Sequence, residues 1–161
     1  MSTHRLLLPA AALALSAVMF AGVAAVSAAS VRTSNSPQAI ASYRAGVASV
    51  LNLFMPANIK IVDAGNDLTK VNWNKASSDA ARAVTGIARS KSVLDHLAVP
   101  PRAKKVQSLF ERAFARFLSG AKLIKSGAGK RNLTTLVSGQ KTYQQGLVPL
   151  QQAIKLYDAL K

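Results

Sequence analysis

The spacing of the apolar residues constrains the fold of this chain more than any other feature. They recur at alternating steps of three and four positions, which places them on one face of an α-helix. In the first such stretch they are Ile40, Tyr43, Val47, Val50, Phe54, Ala57, Ile61, Ala64 and Leu68. No stretch shows the sustained alternation of apolar and polar residues that is typical of a half-buried strand. The sequence therefore predicts an all-α fold.

The first helix is predicted to begin at Ser36 and Pro37, which are typical of an N-cap and of the first helical residue. Pro56 removes one hydrogen-bond donor from the middle of this stretch, so a kink or break is expected near Phe54. Because the apolar spacing stays in phase across Pro56, one bent helix ending near residues 65–66 is favoured. Two shorter helices are the alternative.

The second helix is predicted from Ser77 or Ser78 to the Val99-Pro100-Pro101 segment, because residues before proline avoid the helical conformation. Lys91 occupies one position of its apolar stripe. The third helix is predicted from about Pro101 to the glycines at 127 and 129, which suit a helix end. Its stripe is the broadest: Val106, Leu109, Phe110, Ala113, Phe114, Phe117, Ala121 and Ile124.

The fourth helix is predicted from about Asn132, with Gly139, Gly146 and Pro149 weakening its middle. Its apolar stripe runs from Leu133 to Tyr157 and includes Gln140. Four amphipathic segments with short connections predict an antiparallel up-down-up-down four-helix bundle. This domain is expected to span residues 37–161, after a polar spacer at residues 30–36.

Residues 1–29 have the pattern of a signal peptide. Arg5 precedes an apolar stretch over residues 6–26, and small residues follow at positions 27–29. This pattern predicts export by the general secretory route and a secreted or cell-envelope location. The alternative is an uncleaved anchor, because the apolar stretch is long enough to span a bilayer. In that case the domain would stay tethered to the membrane.

Charge and cysteine content limit the possible functions. The chain has 21 basic and 6 acidic residues, and the net charge is +15, or +14 once Arg5 leaves with the signal peptide. Such a charge favours anionic partners. The chain contains no cysteine, which removes thiol catalysis and zinc–thiolate sites. With one histidine beyond residue 29, the composition predicts a non-enzymatic protein with no metal site and no cofactor.

Basic residues concentrate between residues 102 and 131, where nine of them accompany a single acid, Glu111. Helical projection places Lys105, Arg112 and Arg116 on one flank of the third helix, with Arg102 slightly nearer the core. We call Arg102, Lys105, Arg112 and Arg116 the basic strip. It would extend for about 21 Å at 1.5 Å per residue, and is the predicted contact for an anionic polymer or membrane surface.

A second basic column follows a strict seven-residue spacing on the second helix and is expected to face solvent as unpaired charges. Its members are Lys75, Arg82, Arg89 and His96. A solvated face explains such a column as well as a binding site does. Nucleic acid is expected to bind only nonspecifically, because no recognition motif accompanies the charge.

The predicted function is therefore that of a helical bundle that binds an anionic envelope component, or a partner protein, through its basic face. The alternative is a bundle that binds a small ligand or cofactor. It would need a cavity near the Pro56 and Gly146/Pro149 bends, with Gln140 and Lys91 projecting into it. A haem would depend on His96 and Met55 as an axial pair, which is weak support.

Overall fold

The computed structural model describes residues 34–160, and every regular element in that range is helical. The elements are α1 (Pro37–Thr69), α2 (Trp73–Asp95), a 3-10 turn (Pro101–Ala103), α3 (Lys104–Gly129), α4 (Leu133–Gln144) and α5 (Leu147–Asp158). The predicted all-α class is confirmed. The predicted signal peptide lies outside the described residues.

Helix α1 is one continuous element of 33 residues that includes Pro56. Ser36 caps it as predicted, because its side-chain oxygen accepts a hydrogen bond from the backbone N–H of Ala39 at 3.2 Å. The apolar stripe explains why the helix continues through the proline. The side chains of Phe54 and Ala57, on either side of Pro56, are both buried in the same core.

Helix α2 begins at Trp73, four residues before the earliest predicted start. Asn72 forms the N-cap, and its Oδ1 accepts a hydrogen bond from the backbone N–H of Lys75 at 3.3 Å. Only Ala76 is buried in the first turn of α2, so the spacing of apolar residues did not indicate a helix there. The prediction of the start was therefore wrong.

The α1–α2 and α3–α4 connections have the same geometry. Val71 and Arg131 both adopt the left-handed conformation, with φ of 60° and 52°. The N–H of Asn72 donates to the carbonyl of Asp67 at 2.9 Å, and that of Asn132 to the carbonyl of Gly127 at 2.8 Å. This six-to-one bond is the Schellman motif. Each asparagine also caps the following helix.

The fourth predicted helix is divided into α4 and α5 by Gln145 and Gly146. Pro149 has no N–H to donate to the carbonyl of Gln145, which favours an interruption here. Gly146 lies against the ring of Phe117, where an added Cβ would come within 2.7 Å of a ring carbon. The interruption therefore lies at the predicted weak point of the helix.

An aromatic cluster forms the centre of the core. Phe54 of α1 contacts Phe114 and Phe117 of α3, with ring centroids 5.0 Å apart in each pair. Tyr143 of α4 packs on Phe117 at 4.8 Å. Aromatic pairs at these distances add to the free energy of burial. All eight residues of the α3 stripe are buried as predicted.

Helices α3 and α4 approach closely along a line of glycines. A Cβ added to Gly120 would lie 2.5 Å from the backbone nitrogen of Tyr143, and one added to Gly127 would lie 2.6 Å from that of Leu136. Gly139 faces the backbone of Ile124 in the same way. These glycines therefore permit the close approach of the two helices.

The helices pack as neighbours in chain order, α1 on α2, α2 on α3, and α3 on both α4 and α5. Polar side chains link α1 to the last helix of the domain. The hydroxyl of Tyr157 in α5 donates to the carbonyl of Arg44 in α1 at 3.0 Å. The Arg44 guanidinium donates in return to the carbonyl of Leu160 at 3.1 Å. Helix α1 thus contacts the C-terminal end of the domain.

Candidate functional site

All four residues of the basic strip are exposed on the surface. Lys105, Arg112 and Arg116 lie on α3, and Arg102 lies in the 3-10 turn before it. The backbone N–H of Arg102 donates to Oδ1 of Asn35 at 2.9 Å, which fixes this turn against the start of α1. The strip lies beside the buried stripe of α3, and its exposed side chains are accessible to a partner.

No residue of the basic strip forms an ion pair with any carboxylate among residues 34–160. The guanidinium of Arg116 donates to the neutral Oε1 of Gln145 at 3.3 Å. Glu111, the acid nearest in sequence, accepts a hydrogen bond from Nε2 of the buried Gln107 at 2.9 Å. The positive charge of the strip is therefore not compensated by the described acids.

Half of the acidic residues gather instead at the α1–α2 end of the domain. Asp67 and Asp79 are buried, and Nζ of Lys75 lies 2.9 Å from the first carboxylate and 3.7 Å from the second. Lys60 contacts Asp63 at 2.7 Å. Hydrogen bonds to Asp67 and Asp63 raise the pKa of Lys75 and of Lys60, respectively. This network neutralises its own charges and links α1 to α2.

The second basic column is exposed as predicted, but it is not a row of unpaired charges. Lys75 belongs to the acidic network, and a guanidinium nitrogen of Arg82 lies 3.8 Å from Asp79. Nδ1 of His96 lies 2.7 Å from the carbonyl of Ser92 in the same helix. The Lys75–Asp67 contact depends on the α1–α2 turn and could not be predicted from spacing. Asp79 lies four residues after Lys75 and three before Arg82, so spacing along one helix could have indicated these two pairs.

Lys91 and Gln140 are polar residues at predicted core positions, and the structure places their side chains differently. Nζ of Lys91 forms an ion pair with Asp95 at 2.6 Å, one helical turn away, so this side chain turns out of the core. Gln140 lines a cavity of about 60 Å³ together with Ile61, Leu68 and Tyr143. Pockets for small ligands hold about 300–1,000 Å³, so this cavity is small for such a role.

The His96 and Met55 side chains have no geometry that favours an axial pair. Leu97, next to His96, contacts Gly46 of α1. Met55 lies nine residues beyond Gly46 on α1, or about 13 Å along the helix axis at 1.5 Å per residue. This places Met55 well away from the end of α2 where His96 lies. Among the described residues no group of three or more histidine and carboxylate side chains is arranged to hold a metal ion.

The buried polar groups have identifiable partners, which is typical of a structural core. The hydroxyl of Tyr43 donates to Oε1 of Gln107 at 3.2 Å, and Nε2 of Gln107 donates to the carbonyl of Leu94 at 3.0 Å. Burial raises the pKa of Tyr43 and of Tyr143 well above the ordinary value. Within residues 34–160, no buried side-chain nitrogen or oxygen lacks a partner.

The chain matches no protein-family model, no curated protein and no solved structure. Within the described range, α1 alone is long and apolar enough to cross a membrane by length and composition. Its apolar stripe is nonetheless the same stripe that packs into the core, and core helices of globular domains share this composition. Because none of these comparisons found a match, only charge and geometry indicate the candidate functional site.

Proposed function

We propose that this protein is a non-catalytic, exported helical bundle that binds an anionic component of the cell envelope through its basic strip. The uncompensated charge of Arg102, Lys105, Arg112 and Arg116 is the observation that carries the proposal. Four of the six acids form ion pairs elsewhere, with Lys60, Lys75 and Lys91. A positive strip of about 21 Å suits a repeating anion such as a polymer or a headgroup surface.

The proposed architecture is the up-down-up-down antiparallel four-helix bundle, with α4 and α5 forming the fourth helix. Contacts between α1 and α2 support it, because Gly46 meets Leu97 whereas Ala57 meets Gly86. Between α3 and α4, Gly127 meets Leu136 whereas Gly120 meets Tyr143. In both pairs of helices, the residue numbers of the contacts rise along one helix and fall along the other, which is the pattern of antiparallel packing. Cleavage after residues 28–29 would make the bundle diffusible, whereas retention of the apolar segment would tether it.

Retention on anionic surfaces provides the test. The protein is expected to sediment with phosphatidylglycerol vesicles or with a glycerol-phosphate polymer at low ionic strength. Release is expected by about 0.5 M salt, where the Debye length falls to a few ångströms. Binding that persists unchanged at that salt concentration would contradict the proposal.

A matched pair of variants separates the strip from net charge. Lys105→Glu, Arg112→Glu and Arg116→Glu together should abolish retention. Lys70→Glu, Lys141→Glu and Lys155→Glu change the net charge equally at exposed positions outside the strip, and should retain most of it. Equal loss in both variants would show that net charge alone drives binding. Arg102 is left unchanged because its turn contacts Asn35.

A further inference from the structure

An open groove of about 540 Å³ lies between α2 and α3, close to the α3–α4 turn. Helix α2 contributes Ser77 and Val84, and α3 contributes Lys122, Lys125 and Ser126. Lys130, which follows the last residue of α3, lines the groove at its end. The volume is within the range of about 300–1,000 Å³ that small-ligand sites occupy.

The groove carries positive charge that no described acid neutralises. Lys122, Lys125 and Lys130 are all exposed, and none forms an ion pair within residues 34–160. Residues 1–33 contain no aspartate or glutamate in their sequence. Asp79, the acid nearest to Ser77 in sequence, is held by Lys60 and Lys75. Three lysines thus line one concave surface without a carboxylate among the lining residues.

Small polar groups accompany this charge. The hydroxyl of Ser77 lies 3.4 Å from the carbonyl of Lys125 and so connects the two walls of the groove. Lys122 and Lys125 are one helical turn apart on α3, which places their side chains on neighbouring positions. Because the Ser77 hydroxyl donates its one proton to Lys125, the donors suited to phosphoryl oxygens are the lysine ammonium groups and the hydroxyl of Ser126.

From this combination we infer that the α2–α3 groove is a binding site for a ligand with two or more phosphoryl groups. The volume exceeds what a single phosphate fills, and three ammonium groups match a charge of several units. The site is independent of the basic strip. At about 100° per residue, Lys122 and Lys125 project from α3 more than about 70° away from Lys105, Arg112 and Arg116.

Binding of inorganic tripolyphosphate to the full-length protein, measured by isothermal titration calorimetry at about 0.15 M salt, tests this inference. The unmodified protein should show saturable binding. Lys122→Gln, Lys125→Gln and Lys130→Gln together should weaken it at least about tenfold, because charge-assisted hydrogen bonds to phosphate are lost. Lys70→Gln, Lys141→Gln and Lys155→Gln remove the same charge elsewhere and should weaken it less than about threefold. Absence of saturable binding, or equal loss in both variants, would overturn the inference.

A single-site pair tests the position of the groove with little risk to folding. Ser77→Glu would place a carboxylate in the groove, whereas Ser78→Glu would place it on an exposed position one residue further along α2. The first change should suppress tripolyphosphate binding and the second should leave most of it. Equal effects of the two changes would contradict the assignment.

The phosphoryl groups could belong to a soluble compound or to a lipid headgroup. If the source is a headgroup, the lysine-to-glutamine groove variant should lose retention on vesicles of cardiolipin, whose headgroup carries two phosphodiesters, and tripolyphosphate should displace the unmodified protein from them. If the source is soluble, vesicle retention should be unchanged in that variant while tripolyphosphate binding is lost. Both outcomes support the binding of phosphoryl groups in the α2–α3 groove. Failure of the basic strip to bind vesicles would leave the tripolyphosphate result unaffected.

Discussion

The hydroxyl of Tyr143 in α4 donates a hydrogen bond to Oδ1 of Asn58 in α1, and the two oxygens are 2.8 Å apart. The ring of the same tyrosine packs on Phe117 of α3. One side chain therefore connects three helices. Its hydroxyl provides a hydrogen-bond donor for the side-chain amide of Asn58, which lies two residues after Pro56. This bond joins segments that are 85 residues apart in the sequence.

Replacing Tyr143 with phenylalanine should lower the free energy of unfolding by about 0.5–1.5 kcal/mol, because the partly buried amide of Asn58 loses its donor. Urea denaturation of Tyr143→Phe, Asn58→Ala and the double variant measures this effect. If the hydrogen bond stabilises the fold, the double variant should lose less stability than the sum of the single ones. Strict additivity would show that the two groups do not interact.

Stability should fall at alkaline pH because two tyrosines are buried. The folded-state pKa values of Tyr43 and Tyr143 are raised, so these groups keep their protons where the unfolded chain loses them. Their contribution is complete below about pH 10 and is lost as the pH rises above it, by about 1.4 kcal/mol per pH unit for each tyrosine. Raised pKa values of Lys60 and Lys75 act in the same direction.

Denaturation midpoints measured from pH 7 to 11 test this dependence, together with tyrosinate absorbance. The Tyr43→Phe/Tyr143→Phe variant should show a clearly shallower alkaline decline than the unmodified protein. The prediction would be wrong if both tyrosines ionised near pH 10 while the protein stayed folded.

Substitution of Gly120 by alanine should destabilise the domain by about 1–3 kcal/mol, the usual cost of overpacking. The new Cβ would meet the backbone of α4, which moves only if the two helices separate. Gly129→Ala is the matched control, since its Cβ meets only the flexible hydroxyl of Ser77 at 3.3 Å. Thermal unfolding should show a large drop for the first variant and little change for the second. Similar values for both would argue against close α3–α4 packing.

Substitution of Val71 by glycine should stabilise the domain by about 1 kcal/mol, because a left-handed conformation is costly for a β-branched residue. Val71 is 69% exposed, so little packing is lost. Val137→Gly, at an exposed position within α4, should instead cost about 0.4 kcal/mol, the difference in helix propensity between valine and glycine. Chemical denaturation of both variants would reveal the opposite signs. A destabilised Val71→Gly variant would contradict the interpretation of this turn.

Patterns that act over one or two helical turns were predictable from the sequence. The α1 stripe from Ile40 to Leu68 reappears in the core, with seven of its nine members fully buried. Ser36 and Asn132 cap helices as their local chemistry suggests. Leu133 was expected in the fourth stripe but is 55% exposed, because it is the first residue of α4 and lies beyond the packed part of the helix.

Features that depend on tertiary contacts were not predictable in this way. Gln107 is buried because Tyr43, which is 64 residues away in the sequence, provides a hydrogen-bond donor for it. Asp67 is buried because the α1–α2 turn brings Lys75 against it. Sequence analysis identified the basic strip but not the α2–α3 groove, because Ser77 and Lys125 meet only when the two helices pack.

The matching turns at Lys70-Val71-Asn72 and Lys130-Arg131-Asn132 have a consequence for how the domain assembles. Each turn closes one helical hairpin, and the second lies 60 residues beyond the first. Neither hairpin encloses the aromatic cluster alone, since Phe54 belongs to the first and Phe114, Phe117 and Tyr143 to the second. Each hairpin alone would therefore leave its part of the aromatic cluster exposed to water. The core closes only when the two hairpins pack against each other.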